Sequence, residues 1–334
     1  MIANNFSRHP YEACLIPNLP EEIQLRVRDM TNYVLQPLSM LLAFVAFVCN
    51  ALICITVART KSLQRPSLLL LSSLSVTDLI FALFSMYMGI KTILREHMCL
   101  ATMDSEERAM IVLCSLATLG TIAVISRDRY LAATKPWWYR NHVNTSHVIK
   151  MSCLPWLISA VITFVHMVYF VYKIDGEYKR FVPAITLVYY CICFIAIIFS
   201  HLGICFKKPP VERIRETRAV MRREKKSAAT IRLILLVLLL TFLPALFWPI
   251  VLGLNGKEDV GPYRPFMLFL FIVDTVANPL LNFGRNKDMR KAIRGLLRCF
   301  QHVEQQQQQQ QHQQQKERQQ QQQQQQQPEK EQQQ

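Results

Sequence analysis

Long apolar runs alternate with short polar segments along this chain, and none of the runs carries the period-two alternation of a half-buried strand. Seven of them reach about 20 residues or more, the length that takes an α-helix across about 30 Å of hydrocarbon. They cover roughly 33–58, 67–93, 107–132, 147–172, 181–206, 228–254 and 264–284. In lipid a backbone satisfies its own N–H and C=O groups only within a helix or a closed barrel, and the missing alternation excludes barrel strands. The pattern therefore predicts an all-α fold, a bundle of seven transmembrane helices.

The polar segments set the orientation. Arg59–Arg65, Arg127–Lys150, Lys207–Arg232 and Arg285–Arg298 are dense in arginine and lysine, whereas Glu96–Arg108 and Asp175–Arg180 balance acid and base. Basic loops stay in the cytoplasm, so the N-terminus is expected outside and the C-terminus inside a plasma membrane. The net charge of +15 is then mostly positive-inside bias and attraction to anionic membrane lipids, and nucleic acid is not an expected partner. Four regions follow: an extracellular segment 1–32, the spanning region 33–284, an amphipathic surface helix 285–300, and a glutamine-rich cytoplasmic tail 301–334 that is expected to be disordered.

The opening residues lack the apolar core of a cleavable signal peptide, so the first span is expected to be its own insertion signal. Asn5-Phe6-Ser7 is a glycosylation sequon on the expected outer side, while Asn144-Thr145-Ser146 falls inside and is expected to be silent. Most of the ten cysteines lie within spans, leaving Cys14 and Cys99 for at most one extracellular disulfide. Cys299, just after a basic amphipathic run, is placed for palmitoylation.

Signatures of soluble enzymes are missing: there is no phosphate-binding glycine loop, no HExxH and no nucleophile elbow, and Cys191 and Cys193 face different sides of one helix. Instead, nearly every span carries one polar or special residue: Asn50, Asp78, Thr118 and Arg129, Trp156, Pro244, and Asp274 with Asn278-Pro279. Seven spans with DRY (Asp128, Arg129, Tyr130) ending the third, TFLP in the sixth and NPLLNF in the seventh resemble a class A, rhodopsin-like G-protein-coupled receptor over about residues 33–300.

The resemblance implies roles. Arg129, with Asp128 beside it and Glu224 at the base of the sixth span, would form a latch that opens to admit a heterotrimeric G protein. Asn50, Asp78, Thr118, Asp274 and Asn278 would meet in a polar pocket. Two carboxylates in hydrocarbon repel unless a cation or a proton intervenes, so a sodium ion at Asp78 or protonation of one acid are both open. Phe242, Pro244 and Pro279 would serve as the activation hinge. The sequence also departs from the family's usual pattern. Asp104 stands where a cysteine is usual, Cys191 replaces a proline, and Phe199 and Asn282 replace two tyrosines. Loss of the cysteine and the proline resembles the melanocortin, cannabinoid and lysophospholipid receptors, a subgroup usually joined with adenosine receptors.

The ligand, whether small molecule, lipid or peptide, stays open. An amine receptor would carry aspartate where Ile111 stands, and an opsin lysine where Ile272 stands, so both of these specific readings are disfavoured. Asp104, Glu106 and Glu107 would suit a cationic ligand or, with calcium, a peptide as in melanocortin receptors, but Asp104 to Glu107 also has the spacing of a helix-capping box, and both can hold. The expected function is a receptor, not an enzyme. Two alternatives remain, an ion-coupled seven-helix transporter and a non-signalling seven-helix binding protein.

Overall fold

The computed structural model describes residues 20–94, 105–172, 178–206, 264–285, 287–296, 298, 305–311 and 313–315. The chain divides into two compact units, 1–285 and 286–334.

In the first unit a continuous helix runs over Glu21–Arg59. It comprises α1 (Glu21–Met30), a π-helical turn (Thr31–Leu35) and α2 (Gln36–Arg59). Hydropathy alone places its start near residue 33, because the preceding turns are polar. They are helical for local reasons: Glu21 and Glu22 occupy the first turn, where the helix dipole favours acids, and Arg26 pairs with Glu22 one turn away at 2.6 Å. At about 1.5 Å per residue the whole helix is far longer than about 30 Å of hydrocarbon, so its charged first turns extend past the bilayer.

Helix α3 covers Pro66–Leu94, α4 Ser105–Thr134, α6 Thr145–Tyr172, α7 Tyr178–Phe206 and α8 Arg264–Arg285. Each lies within a few residues of an expected span. The expected sixth span, 228–254, lies outside the described residues. A short helix that hydropathy does not reveal, α5 (Pro136–His142), begins with a proline at its first position, where the missing N–H costs nothing. Asn144 starts α6 by accepting a hydrogen bond from the His147 amide at 2.8 Å.

The outer face of the bundle is apolar, and its interior combines an apolar core with buried polar side chains. Leu41, Phe44, Leu157, Phe164 and Ile195 face outward, whereas Asn50, Thr77, Asp78, Thr121, Ser159 and Asp274 are buried. Helix α4 is the central element: 61% of its apolar window is buried, against 22–39% for the other four long spans. It packs on α3, α6 and α7, while α2 packs on α3 and α8. Close approach at the α4–α7 seam depends on glycine. A Cβ at Gly120 would collide with the Tyr189 hydroxyl and lie 2.9 Å from Pro155 Cβ, and one at Gly203 would collide with the Tyr130 ring.

In the second unit, residues 287–296 are helical, inside the segment expected to form a surface helix. Residues 305–311 and 313–315 are also helical and exposed, where the sequence analysis expects disorder. Glutamine has a good intrinsic helix propensity, which favours this local geometry.

The seam makes a prediction. Gly120→Val overpacks the centre of the bundle and is expected to destabilise the protein by about 1–3 kcal/mol. Gly284→Ala, whose Cβ would meet nothing within 4 Å, is expected to leave stability unchanged or slightly raised. Melting temperatures of the two variants in detergent provide the check.

Candidate functional site

The polar residues of the bundle gather at three levels along α4: its Arg129 end, its middle and its Glu107 end.

At the Arg129 end, Asp128 and Arg129 are both buried and face each other. Arg129 donates to Asp128 Oδ2 from Nε, at 3.0 Å, and from Nη2. Asp128 also accepts a hydrogen bond from the Tyr139 hydroxyl on α5, at 2.7 Å to Oδ1. One carboxylate therefore holds both the arginine and the short helix that follows α4. Tyr130 lies against Gly203 of α7. Glu224 lies outside the described residues, as do Phe242 and Pro244. Pro279 is inside α8. Tyr139 is a contributor that motif reading misses, although Pro136 as a helix start puts it on the first turn of α5.

In the middle, α3, α4 and α8 enclose a cavity of about 10 Å³, room for about one water or small ion. Asp78, Thr118 and Asp274, three of the five expected residues, line it together with Ser115, Thr275 and Ile111. Asn278 donates to Asp78 Oδ2 at 3.1 Å. Asn50 is set aside from the cavity wall and instead ties α2 to α8, donating to the Thr275 carbonyl at 3.1 Å and to the Ala46 carbonyl at 2.9 Å. Asp274 Oδ1 and Asn50 Oδ1 are buried without a hydrogen-bond partner among the described residues. Ser115, one turn from Thr118 on α4, bonds the Tyr190 hydroxyl of α7 at 3.1 Å and so joins the cavity wall to the α4–α7 seam. Ser115 and Thr275 escape a motif search, yet each sits three residues or fewer from a residue that it finds.

At the Glu107 end, two adjacent acids part company. Glu106 is on the surface, accepting from the Tyr87 hydroxyl at 3.1 Å and the Lys91 ammonium at 3.4 Å. With its side chain 58% exposed, such a pair contributes little. Glu107 is fully buried and lines a second cavity, of about 40 Å³. Both acids are in the first turn of α4, as the helix dipole favours. Asp104, and with it the capping box, lies outside the described residues, as do Asn5 and Cys299. Among the described residues no three His, Cys, Asp or Glu side chains cluster as a metal centre.

Residues 49–282 match the family "7 transmembrane receptor (rhodopsin family)". The chain belongs to this family, which makes it a seven-helix membrane receptor and not an enzyme. Its relatives include 5-hydroxytryptamine receptor 7 of Xenopus laevis, 27% identical over 310 residues that span 75% of this chain and 73% of the relative. Another is 5-hydroxytryptamine receptor 1E of Cavia porcellus, 22% identical over 347 residues, 82% of this chain and 93% of the relative. Dopamine receptor 4 of Caenorhabditis elegans is 32% identical over 117 residues, 34% of this chain and 23% of the relative. These relatives are amine receptors rather than members of the melanocortin, adenosine, cannabinoid and lysophospholipid subgroup.

The Asn278–Asp78 bond makes a prediction. Asn278→Leu leaves a buried carboxylate oxygen without its donor and is expected to cost about 1–3 kcal/mol. Replacing both partners with leucine is expected to restore much of that loss, since no polar group is then stranded. Melting temperatures of the single and double variants in sodium-free buffer test it.

Proposed function

We propose that this receptor binds an extracellular ligand and passes the signal to a heterotrimeric G protein by outward movement of its sixth span. The reading rests on a buried Asp128–Arg129 pair at one end of a bundle that belongs to the rhodopsin family. Arg129 sits where basic loops place the cytoplasm, so the N-terminus is outside and the C-terminus inside. At rest, Asp128 and Glu224 hold the arginine. When the sixth span swings about Pro244 and Phe242, Arg129 becomes part of the floor of a basic cleft into which a partner's helix docks. Ligand acts by its differential affinity for the two arrangements.

The mid-membrane cavity suits a sodium ion. Its donors are hard oxygens from Asp78, Asp274, Thr118 and Ser115, its volume is that of one small ion, and Asp274 Oδ1 is left without a partner among the described residues. Asp78 and Asp274 would hold the ion, and a bound cation supplies the positive charge that lets two neighbouring carboxylates stay ionised. Because the cavity joins α3, α4 and α8, an ion there favours the arrangement in which these helices stay close.

Nucleotide exchange on a panel of purified G proteins, with the full chain in lipid discs, tests the receptor reading. Basal exchange that disappears in Arg129→Ala and rises in Glu224→Ala is expected. Exchange in Glu224→Ala at or below that of the native chain contradicts the latch. For the ion, the readout is basal exchange as sodium is varied. Asp78→Asn is expected to remove any sodium dependence, and a dependence that survives the substitution rules out that cavity as its origin.

A further inference from the structure

Ser115 lines the carboxylate cavity, yet its hydroxyl is set from α7, a helix that supplies none of the described lining residues. A serine hydroxyl has one hydrogen to give and two lone pairs to offer. The hydrogen of Ser115 goes to the Val112 carbonyl of its own helix, at 3.0 Å, so in the 3.1 Å bond between Ser115 and Tyr190 the phenol is the donor. That bond occupies one lone pair of Ser115 Oγ. No hydrogen is left to turn toward Asp78 and Asp274, and the second lone pair is what Ser115 offers to the cavity. A wall oxygen held in this way suits a cation and opposes an anion.

Tyr190 is itself firmly placed. Its side chain is buried in the core cluster together with Cys193 and Ile197 of the same helix. Beside it, Tyr189 donates to the Leu116 carbonyl at 3.3 Å, in the space that Gly120 leaves open. Two successive tyrosines of α7 therefore grip two successive residues of α4. Movement of α7 along α4 stretches both bonds, and one of the two ends on an oxygen of the cavity wall.

We infer that Tyr190 is a positioning residue for the cation of the carboxylate cavity. By donating to Ser115 it keeps a lone pair, and not a hydrogen, turned to the ion, and it ties occupancy of the cavity to the register of α7 against α4. The inference rests on the sodium reading of that cavity. Coupling of this kind is reciprocal: an occupied cavity holds α7 in register, and a displaced α7 lowers the affinity of the cavity for its ion.

The test is sodium binding, read without a G protein. The melting temperature of the full chain in detergent is followed as sodium chloride replaces N-methyl-D-glucamine chloride at constant ionic strength. The native chain is expected to show a saturable rise, and Asp78→Asn to remove it. Tyr190→Phe, which keeps the ring and loses only the donor, is expected to raise the apparent Kd for sodium about three- to tenfold. Ser115→Ala is expected to weaken sodium at least as much, and adding Tyr190→Phe to it to change nothing further, because the phenol acts through that one oxygen. A Tyr190→Phe chain that melts earlier but keeps the native sodium Kd has lost packing alone and overturns the inference, as does a loss that adds to that of Ser115→Ala; in both cases the ion reading stands. A native chain without any sodium response overturns both. If Tyr190→Phe does not fold, 4-aminophenylalanine and 4-fluorophenylalanine introduced at position 190 by amber suppression keep the question answerable. The amino ring, which still donates, is expected to bind sodium within about twofold of the native chain and the fluoro ring to bind it more weakly, whereas equal affinities contradict the inference.

Discussion

Hydrocarbon offers no hydrogen bonds, and that constraint orders everything else in this bundle. Serines and threonines such as Ser159 and Ser200 can satisfy themselves on a carbonyl of their own helix, but a buried Asn or Asp must turn to the interior and so fixes the rotation of its helix. Helix α4 carries more buried polar side chains than any other described helix and is the most enclosed of the long spans. Ser115 reaches Tyr190, the Leu116 carbonyl accepts from the Tyr189 hydroxyl at 3.3 Å, and Asp128 holds Arg129 and Tyr139. Its contacts with α3, α6 and α7 follow from what it must bury, and the small residues Gly120 and Gly203 let those contacts close.

The same constraint spaces the sites. Charge is costly in the membrane interior, so the acids are confined to places where structure surrounds them: Asp128 at one end, Asp78 and Asp274 in the middle, Glu107 at the other. Each lies against a different set of helices. Asp128 controls the approach to α5, the Asp78–Asn278 bond ties α3 to α8, and Glu107 faces the first helix and α8 across its pocket. A change of packing between α4 and α8 is felt at two of the three, which is a physical basis for linking events at opposite faces of the membrane.

The described spans from the second onward were legible from hydropathy to within a few residues, because length and apolarity are what a bilayer selects. The extra turns of α1 and the short α5 were not, since both are polar and carry only local helix signals, the acids Glu21 and Glu22 in the first turn of α1 and Pro136 at the start of α5. The meeting of Asp78, Thr118 and Asp274 came from resemblance to a family, not from spacing, as residues on three helices have no sequence relation that predicts contact. Asn50 was expected in that cavity and lies beside it, tied to a backbone carbonyl. The division of labour between Glu106 and Glu107 was also hidden. Neighbours on a helix point about 100° apart, and which of them turns inward depends on the rotation of α4 within the bundle.

The central claim is that the base of the sixth span leaves Arg129 when a G protein docks. The most direct measurement is the distance between spin labels at Lys150, on α6, and Lys225, beside Glu224, by double electron–electron resonance in lipid discs. Addition of nucleotide-free G protein is expected to bring up a population in which the labels are several ångströms further apart, and GTP to remove it. A distance distribution that no G protein in the panel alters would contradict the account.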